Sequence, residues 1–239
     1  MKILVIAAHP DDEILGMGAS IKKLTKSHHN VKILIMATGI TSRRSLNYKN
    51  STNYKINNKT KKATEKQLKE LQSNARKASK ILGVTKLEML DFPDNEMDKV
   101  SNLEITKRIE KEIEKFKPSI IFTHSEHDLN IDHKITYNAT ITATRPSQKF
   151  SVKKVMTFEI PSSTEWNFSK KNSPNIFIDI TKELKYKLRA MKAYKNEIRK
   201  FPHPRSTKGL EIIAKRWGNV SGYEAAEAFY LVREFKDTF

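Results

Sequence analysis

The chain has 239 residues, with 45 Lys and Arg against 27 Asp and Glu, and a formal net charge of +18 at pH 7. It contains no cysteine, which excludes disulfides, thiolate metal ligands and a cysteine nucleophile. The length suits one domain of residues 1–239 better than two small domains. The first apolar run is too short for a signal-peptide core and no stretch reaches membrane-spanning length, so we expect a cytoplasmic protein.

The excess of positive charge has two interpretations. Lys residues are spread along the whole chain beside many Asn and Ile, which a general compositional bias would produce, whereas a basic surface for an anionic partner is the alternative. A non-enzymatic nucleic-acid-binding protein would interleave basic residues with exposed aromatics or carry a binding module, and the sequence contains neither pattern. This class stays open as an alternative, but we expect no nucleic-acid partner.

Apolar runs and helical spacing alternate along the first 145 residues. Residues 2–8 (KILVIAA) are typical of a buried parallel strand, and residues 13–26 carry apolar side chains at helical spacing. The alternation continues with strands at 31–37, 86–90 and 119–123 and helices at 61–82, 101–116 and 134–144. Strands that alternate with helices predict right-handed crossovers and a mainly parallel sheet.

The alternation loosens after residue 146. Strand candidates at 152–160, 175–180 and 229–235 accompany one helix at 181–199. We predict that residues 146–239 extend the sheet built by residues 1–145, giving a single Rossmann-like α/β fold with helices on both sides of a mainly parallel sheet. Residues 42–60 are long, polar and basic, which predicts either a loop facing the substrate or a disordered segment.

Two clusters of polar residues follow the first and fourth predicted strands. The first cluster is residues 9–12 (HPDD). The second cluster comprises His124, His127, Asp128, Asn130, Asp132 and His133. Ligands bind at the carboxyl ends of parallel strands, and in a common strand order the first and fourth strands are neighbours. We therefore expect the two clusters to meet at one edge of the sheet.

The chemistry of these residues predicts a hydrolytic metal centre. Such a centre needs about three protein ligands and one open position for water. His9, Asp12 and His133 would supply the ligands, and Pro10 would stiffen the turn between the first two. Asp11 would remain available to take a proton as water attacks a carbonyl. Two His and one carboxylate also form the triad of mononuclear non-heme iron enzymes, so that class stays open, although the spare carboxylate favours hydrolysis.

Purely structural explanations exist for part of this pattern. The acids of residues 11–13 could simply favour the positive end of the first helix, but this leaves His9 unexplained. Gly16 and Gly18 match a dinucleotide-binding fingerprint only in part, because Ile21 stands where the third glycine is required. Close packing of the helix is the better explanation of these glycines.

Residues 8–13 (AHPDDE) and the pair Asp132-His133 resemble the two motifs of the PIG-L or LmbE-like zinc-dependent N-deacetylases. The resemblance extends over the first 145 residues. The C-terminal part, including residues 202–206 (PHPRS) and 225–229 (AAEAF), looks like a bacterial branch that acts on sugars. It implies three metal ligands, His9, Asp12 and His133. It also implies that Asp11 is the general base in a hydrolysis that removes an N-acetyl group from an acylated amino sugar such as N-acetylglucosamine. The implied metal is Zn²⁺, with Fe²⁺ as the alternative.

The chain departs from the family pattern at one position. The family often has a histidine three residues before the second His ligand, where it polarises the carbonyl or protonates the leaving amine. This chain has Asn130, which can donate a hydrogen bond but cannot supply a proton at neutral pH. The candidates for the missing acid are Asp11 acting a second time, His124, His127 and His203.

Arginines motivate a hypothesis about the substrate. Arg43 and Arg44 lie just past the second strand, in a region that reaches the substrate in the family, and Arg205 lies in the C-terminal part. Because guanidinium groups bind phosphate in a bidentate manner, these residues predict a phosphate-bearing substrate such as a nucleotide-linked sugar. Ordinary surface arginines are the competing explanation. Asp132 and His203 are further candidates for contacts around the site.

Overall fold

The computed structural model describes residues 1–37, 58–146, 152–168 and 173–236, with the backbone alone for residues 58–64. The elements are β1 (Lys2–Ala7), α1 (Asp12–Lys26), β2 (Asn30–Ala37), α2 (Asn58–Leu82), β3 (Lys86–Phe92), α3 (Asn102–Phe116), β4 (Ile120–His124), α4 (Ile131–Ala143), β5 (Lys154–Phe158), β6 (Ile176–Asp179), α5 (Leu184–Met191), α6 (Thr207–Ser221) and β7 (Ala226–Glu234). No helix in these ranges is both long and apolar enough to cross a membrane.

The strands form one seven-stranded sheet in the order β3-β2-β1-β4-β5-β7-β6. β1 pairs in parallel with β2 on one side and with β4 on the other, so the predicted contact between the first and fourth strands is confirmed. Of the seven strands, only β7 runs antiparallel to both of its neighbours. The fold is therefore α/β with a mainly parallel sheet, as predicted, and the strands after residue 146 extend that sheet.

Strands β1 and β2 are buried on both faces. Five of the six residues of β1 and seven of the eight residues of β2 are buried. Because side chains alternate across a strand, Ile3 and Val5 enter the hydrophobic core on one face, and Leu4 and Ile6 enter the core on the other. This two-sided burial explains why these strands are continuous apolar runs in the sequence.

The C-terminal part differs in detail from the sequence prediction. The predicted helix over 181–199 is shorter, because α5 ends at Met191 and turns follow it. The predicted strand over 152–160 is also shorter, and β7 begins three residues before the predicted start at 229. Helix α6 was not predicted, because its interior glycines lower helical propensity. Ser206 caps its start, and Gly222 ends it with a φ of 79°.

Helix α1 is interrupted at Met17, where φ is −148°. Two buried side chains from the C-terminal part bond the backbone groups on either side of the interruption. Lys187 Nζ donates to the Leu15 carbonyl at 2.8 Å, while the Glu227 carboxylate accepts from the amides of residues 19–20 at 3.2 and 2.7 Å. Lys187 and Glu227 also form an ion pair at 2.6 Å. The C-terminal part thus fixes the helix that begins at the first polar cluster.

Candidate metal centre

Three ligand atoms converge at the carboxyl edge of the sheet. His9 follows β1, Asp12 begins α1, and His133 lies in the first turn of α4. The distance from His9 Nδ1 to Asp12 Oδ2 is 3.3 Å, that from His9 Nδ1 to His133 Nε2 is 3.2 Å, and that from His133 Nε2 to Asp12 Oδ2 is 3.1 Å. Tetrahedral Zn²⁺ with bonds of about 2.0 Å keeps its ligand atoms about 3.3 Å apart. These three residues could therefore hold a divalent cation.

The turn between the first two of these residues is tightly constrained. The Asp12 carboxylate accepts a hydrogen bond from the His9 amide at 2.9 Å. Asp11 has a φ of 105°, in the left-handed region that non-glycine residues seldom adopt, and its amide donates to the Glu13 carboxylate at 3.0 Å. Backbone of this kind costs on the order of 1–3 kcal/mol and is retained where the surroundings fix it. The turn thus points the Asp11 side chain into the same cavity as the three converging residues.

Buried carboxylates face the far nitrogen of each imidazole. His9 Nε2 lies 2.9 Å from Asp132 Oδ2 and 3.1 Å from Asp94 Oδ1. His133 Nδ1 lies 3.0 Å from Asp128 Oδ1. Carboxylates in these positions fix the orientation of a metal-binding imidazole and increase its basicity.

Asp132 is completely buried and is not one of the three residues whose ligand atoms converge. Its carboxylate contacts His9 and accepts hydrogen bonds from the amides of Asn95 at 2.6 Å and Met97 at 3.1 Å. Asp132 is therefore a buried group that contacts His9 and the backbone after β3. Sequence reasoning missed Asp94 and Asn95, which follow the end of β3 at the same edge of the sheet; that placement after a strand was the available signal.

The surrounding carboxylates change the pKa values of the two histidines. Burial lowers the pKa of His133, but the Asp12 and Asp128 carboxylates raise it to about 9. Burial also lowers the pKa of His9, but hydrogen bonds to Asp12 and Asp132 raise that pKa well above its usual value. A site that stabilises positive charge on both imidazoles in this way suits a divalent cation, which would supply that charge when the imidazoles are neutral.

Asp11 is paired with an arginine from the C-terminal part. Arg205 Nη1 lies 3.1 Å from Asp11 Oδ2, and Arg205 Nε donates to the Ser162 hydroxyl at 2.7 Å. Burial raises the pKa of Asp11 to about 7, although the Arg205 guanidinium acts in the opposite direction. Arg205, predicted as a phosphate-binding residue, is thus in contact with the predicted general base. Arg43 and Arg44 lie outside the described residues.

The histidines that are candidates for the missing acid lie in three different surroundings. His124 is fully buried and its Nε2 accepts from the Ala8 amide at 2.8 Å, and burial lowers its pKa to about 3. His127 lines a separate cavity beside Tyr137. His203 lies near the mouth, where its Nδ1 accepts from the Arg205 amide at 3.1 Å.

Asn130 lines the cavity and caps helix α4. Its side-chain oxygen accepts from the Asp132 amide at 2.8 Å, and its side-chain nitrogen donates to Asn95 Oδ1 at 2.9 Å. A capping asparagine with both side-chain groups bonded fixes the start of the helix that carries His133. Its place in the structure is consistent with a role in positioning rather than in proton transfer.

An α/β fold with a buried His-Asp-His group able to hold a metal, and with the Asp11 carboxylate beside it, defines the class of candidate metal-binding α/β proteins. Residues 4–144 match the sequence model of PIG-L, described as GlcNAc-PI de-N-acetylase, and the chain belongs to the PIG-L family. The family and its curated relatives are deacetylases.

Individual relatives cover nearly the whole chain. Diacetylchitobiose deacetylase from Thermococcus kodakarensis is 28% identical over 239 residues, which covers 97% of this chain and 83% of the relative. The structure of N,N'-diacetylchitobiose deacetylase from Pyrococcus horikoshii has a TM-score of 0.75 at 21% identity, with coverage of 99% and 88%. GalB, a 4-carboxy-2-hydroxymuconate hydratase from Pseudomonas putida, has a TM-score of 0.70 at 18% identity, with coverage of 100% and 98%. These structural similarities establish the fold.

Proposed function

We propose that the protein is a zinc-dependent N-deacetylase that hydrolyses the acetamide of an N-acetylated amino sugar to acetate and a free amine. The proposal rests on one observation above all. Three ligand atoms separated by 3.1–3.3 Å share a cavity of about 340 Å³ with Asp11. Membership of a deacetylase family and the diacetylchitobiose deacetylases among its relatives support an acetylated sugar as the substrate.

In this proposal His9, Asp12 and His133 bind the metal. A cation held there would supply Lewis acidity toward water and toward the amide carbonyl. Two imidazoles and one carboxylate suit Zn²⁺, and Fe²⁺ can use the same three ligands. Metal analysis of the purified protein identifies the ion, and acetate release without oxygen consumption excludes the iron oxygenase alternative.

Asp11 is proposed to move the protons of the reaction. Its carboxylate accepts the proton of the attacking water and then donates it to the nitrogen of the leaving amine. Arg205, at 3.1 Å, orients the carboxylate and favours its ionised form at the start of the cycle. Asn130 cannot supply a proton, and the neutral His124 is hydrogen bonded through Nε2 to the backbone. His127 and His203 are not among the residues that line the cavity, so this second task is assigned to Asp11.

The test is acetate release from N-acetylglucosamine and its β-1,4-linked disaccharide by wild type and Asp11→Asn. Loss of the proton acceptor is expected to lower kcat by about 10²–10⁴-fold. Asn adopts the left-handed backbone region readily, so the variant keeps the turn and the metal content of the wild type.

The matched control is Asp91→Asn, which changes an exposed carboxylate on β3 and leaves kcat unchanged. If the metal-loaded wild type releases no acetate from either sugar, the proposed function is wrong. Full activity of Asp11→Asn with retained metal would overturn the role of Asp11 alone.

A further inference from the structure

A large aromatic side chain lies at the mouth of the cavity that contains the candidate metal centre. Trp166 lines the cavity and is 45% exposed, and Leu129 lines it with 55% exposure. By contrast, His9, Asp12 and His133 are 8%, 1% and 1% exposed. Burial thus changes along the cavity, from a polar floor that holds the three ligand atoms to an apolar rim open to solvent.

The position of the indole is tied to the floor of the cavity. Trp166 is the last residue of a 3-10 turn that begins at Thr164. The hydroxyls of Ser163 and Thr164 both donate to the Asp128 carboxylate, that of Thr164 at 2.6 Å. The same carboxylate lies 3.0 Å from His133 Nδ1. One buried group therefore fixes both a candidate metal ligand and the turn that carries the indole.

A second contact, with the ring of His203, also holds the indole. The rings of Trp166 and His203 meet edge to face with centroids 5.7 Å apart. The backbone around His203 is in turn fixed by the bond from the Arg205 amide to its Nδ1. An aromatic ring that is fixed on one edge and half-exposed on the rest presents a preorganised flat surface to a ligand.

The charges on the described residues that line the cavity favour a neutral ligand over a phosphate-bearing one. Among the described residues, Arg205 is the one Lys or Arg that lines it, and its guanidinium is 3.1 Å from Asp11. Four carboxylates also line it, those of Asp11, Asp12, Asp94 and Glu197. A neutral pyranose ring fits these surroundings, because its C–H groups form an apolar face for the indole and its hydroxyls bond to the polar groups around it.

We propose that Trp166, together with Leu129, binds a second sugar ring adjacent to the ring that is deacetylated, so that the enzyme prefers oligosaccharides to monosaccharides. This inference rests on the proposed deacetylase function. The reacting acetamide must lie on the floor with Asp11 and the three ligand residues, so the ring at the exposed rim is the neighbour of the reacting one.

Steady-state kinetics with Trp166→Ala and Trp166→Phe test the inference. For the β-1,4-linked disaccharide of N-acetylglucosamine, Trp166→Ala is expected to raise KM about tenfold with little change in kcat, while Trp166→Phe keeps most of the affinity. For N-acetylglucosamine itself the change in kcat/KM stays below about twofold. The control is Phe168→Ala, an aromatic side chain two residues away that is 94% exposed and outside the cavity lining.

Equal losses of Trp166→Ala on both sugars would show a general structural role and overturn the inference, as would no loss on either. A loss confined to a nucleotide-linked N-acetylglucosamine would assign the indole to a nucleobase and also overturn it. Absence of acetate release by the wild type contradicts the proposed function instead, which separates the two failures.

A binding measurement reads the same contact without catalysis. The chain has two tryptophans, so Trp217→Phe leaves Trp166 as the sole indole fluorophore. In the Asp11→Asn, Trp217→Phe protein, titration with the disaccharide is expected to give a saturable change in indole emission, and the monosaccharide a change at about tenfold higher concentration. An emission spectrum unchanged at saturating disaccharide would contradict the proposal.

Discussion

At the scale of single residues, the chemistry centres on how Asp11 is held. Its backbone has a φ of 105°, its amide donates to Glu13, and its carboxylate contacts Arg205 at 3.1 Å. Glu13 is itself held by the Tyr194 hydroxyl, which donates to it at 2.6 Å. Tyr194 and Arg205 both come from the C-terminal part, so the orientation of this one carboxylate depends on long-range packing as well as on its own turn.

Arg205→Met is expected to shift the acid limb of the pH profile of kcat/KM to higher pH. Burial raises the pKa of Asp11, and the Arg205 guanidinium acts against that rise. Without the guanidinium the pKa of Asp11 rises further, so a higher pH is needed to ionise the carboxylate that accepts the proton. We also expect kcat to fall about tenfold or more, because the carboxylate loses the partner that orients it.

The matched control is Arg199→Met, which removes an exposed arginine six residues earlier and leaves the pH profile in place. Rate measurements from pH 5 to pH 9, with metal content determined for each variant, give the position of the limb. A shift to lower pH in Arg205→Met would contradict the assigned contact.

At the scale of elements, the interruption of α1 shows how the C-terminal part supports the site. The helix begins with Asp12, bends at Met17, and packs against β5, where an added Cβ at Gly16 would lie 2.4 Å from the Phe158 ring. Gly16 is therefore needed for close packing of α1 on the sheet, as the sequence predicted. The freed backbone groups at the bend are bonded by Lys187 and Glu227 from α5 and β7.

Lys187→Met is expected to lower the free energy of unfolding by about 3–5 kcal/mol, because it leaves the Glu227 carboxylate buried without its cation. The double variant Lys187→Met, Glu227→Gln recovers part of that loss, since an amide is less costly to bury than an unpaired charge. Urea unfolding of the metal-free proteins measures both values.

Lys182→Met, which changes an exposed lysine just before α5, serves as the control and is expected to stay within about 0.5 kcal/mol of wild type. If Lys187→Met were as stable as this control, the ion pair would contribute nothing to the stability of the bent helix.

At the scale of the whole molecule, the distribution of charge matters more than its sum. The chain carries a net charge of +18, yet the described lining of the cavity combines four carboxylates with the single guanidinium of Arg205. The excess of positive charge is therefore not concentrated in the described part of the cavity. A neutral sugar would gain little from long-range attraction by the basic surface.

We expect kcat/KM for the neutral disaccharide to change by less than about twofold between 50 and 500 mM NaCl, because screening acts on charged partners. A nucleotide-linked sugar measured in parallel is the comparison, since steering by the basic surface would make its kcat/KM fall with salt. A steep loss of activity on the neutral disaccharide would show that the surface charge takes part in its binding.

The sequence by itself determined the first half of the fold and the centre of the site. Strands buried on both faces are continuous apolar runs, so β1, β2 and β4 could be recognised locally, and polar residues after such strands must lie at one edge of the sheet. That reasoning brought His9 and His133 together across the chain, and the structure places their ring nitrogens 3.2 Å apart.

Only the tertiary structure decided what surrounds this centre. Asp94, Arg205 and Trp166 are separated from the motifs in sequence, and no local periodicity shows that they share a cavity with them. The insertion of β7 between β5 and β6 is likewise invisible in the sequence, because local alternation indicates that a strand forms but not which strands it pairs with. The side chains that orient Asp11 and that are proposed to bind a neighbouring sugar come from segments whose positions depend on long-range packing.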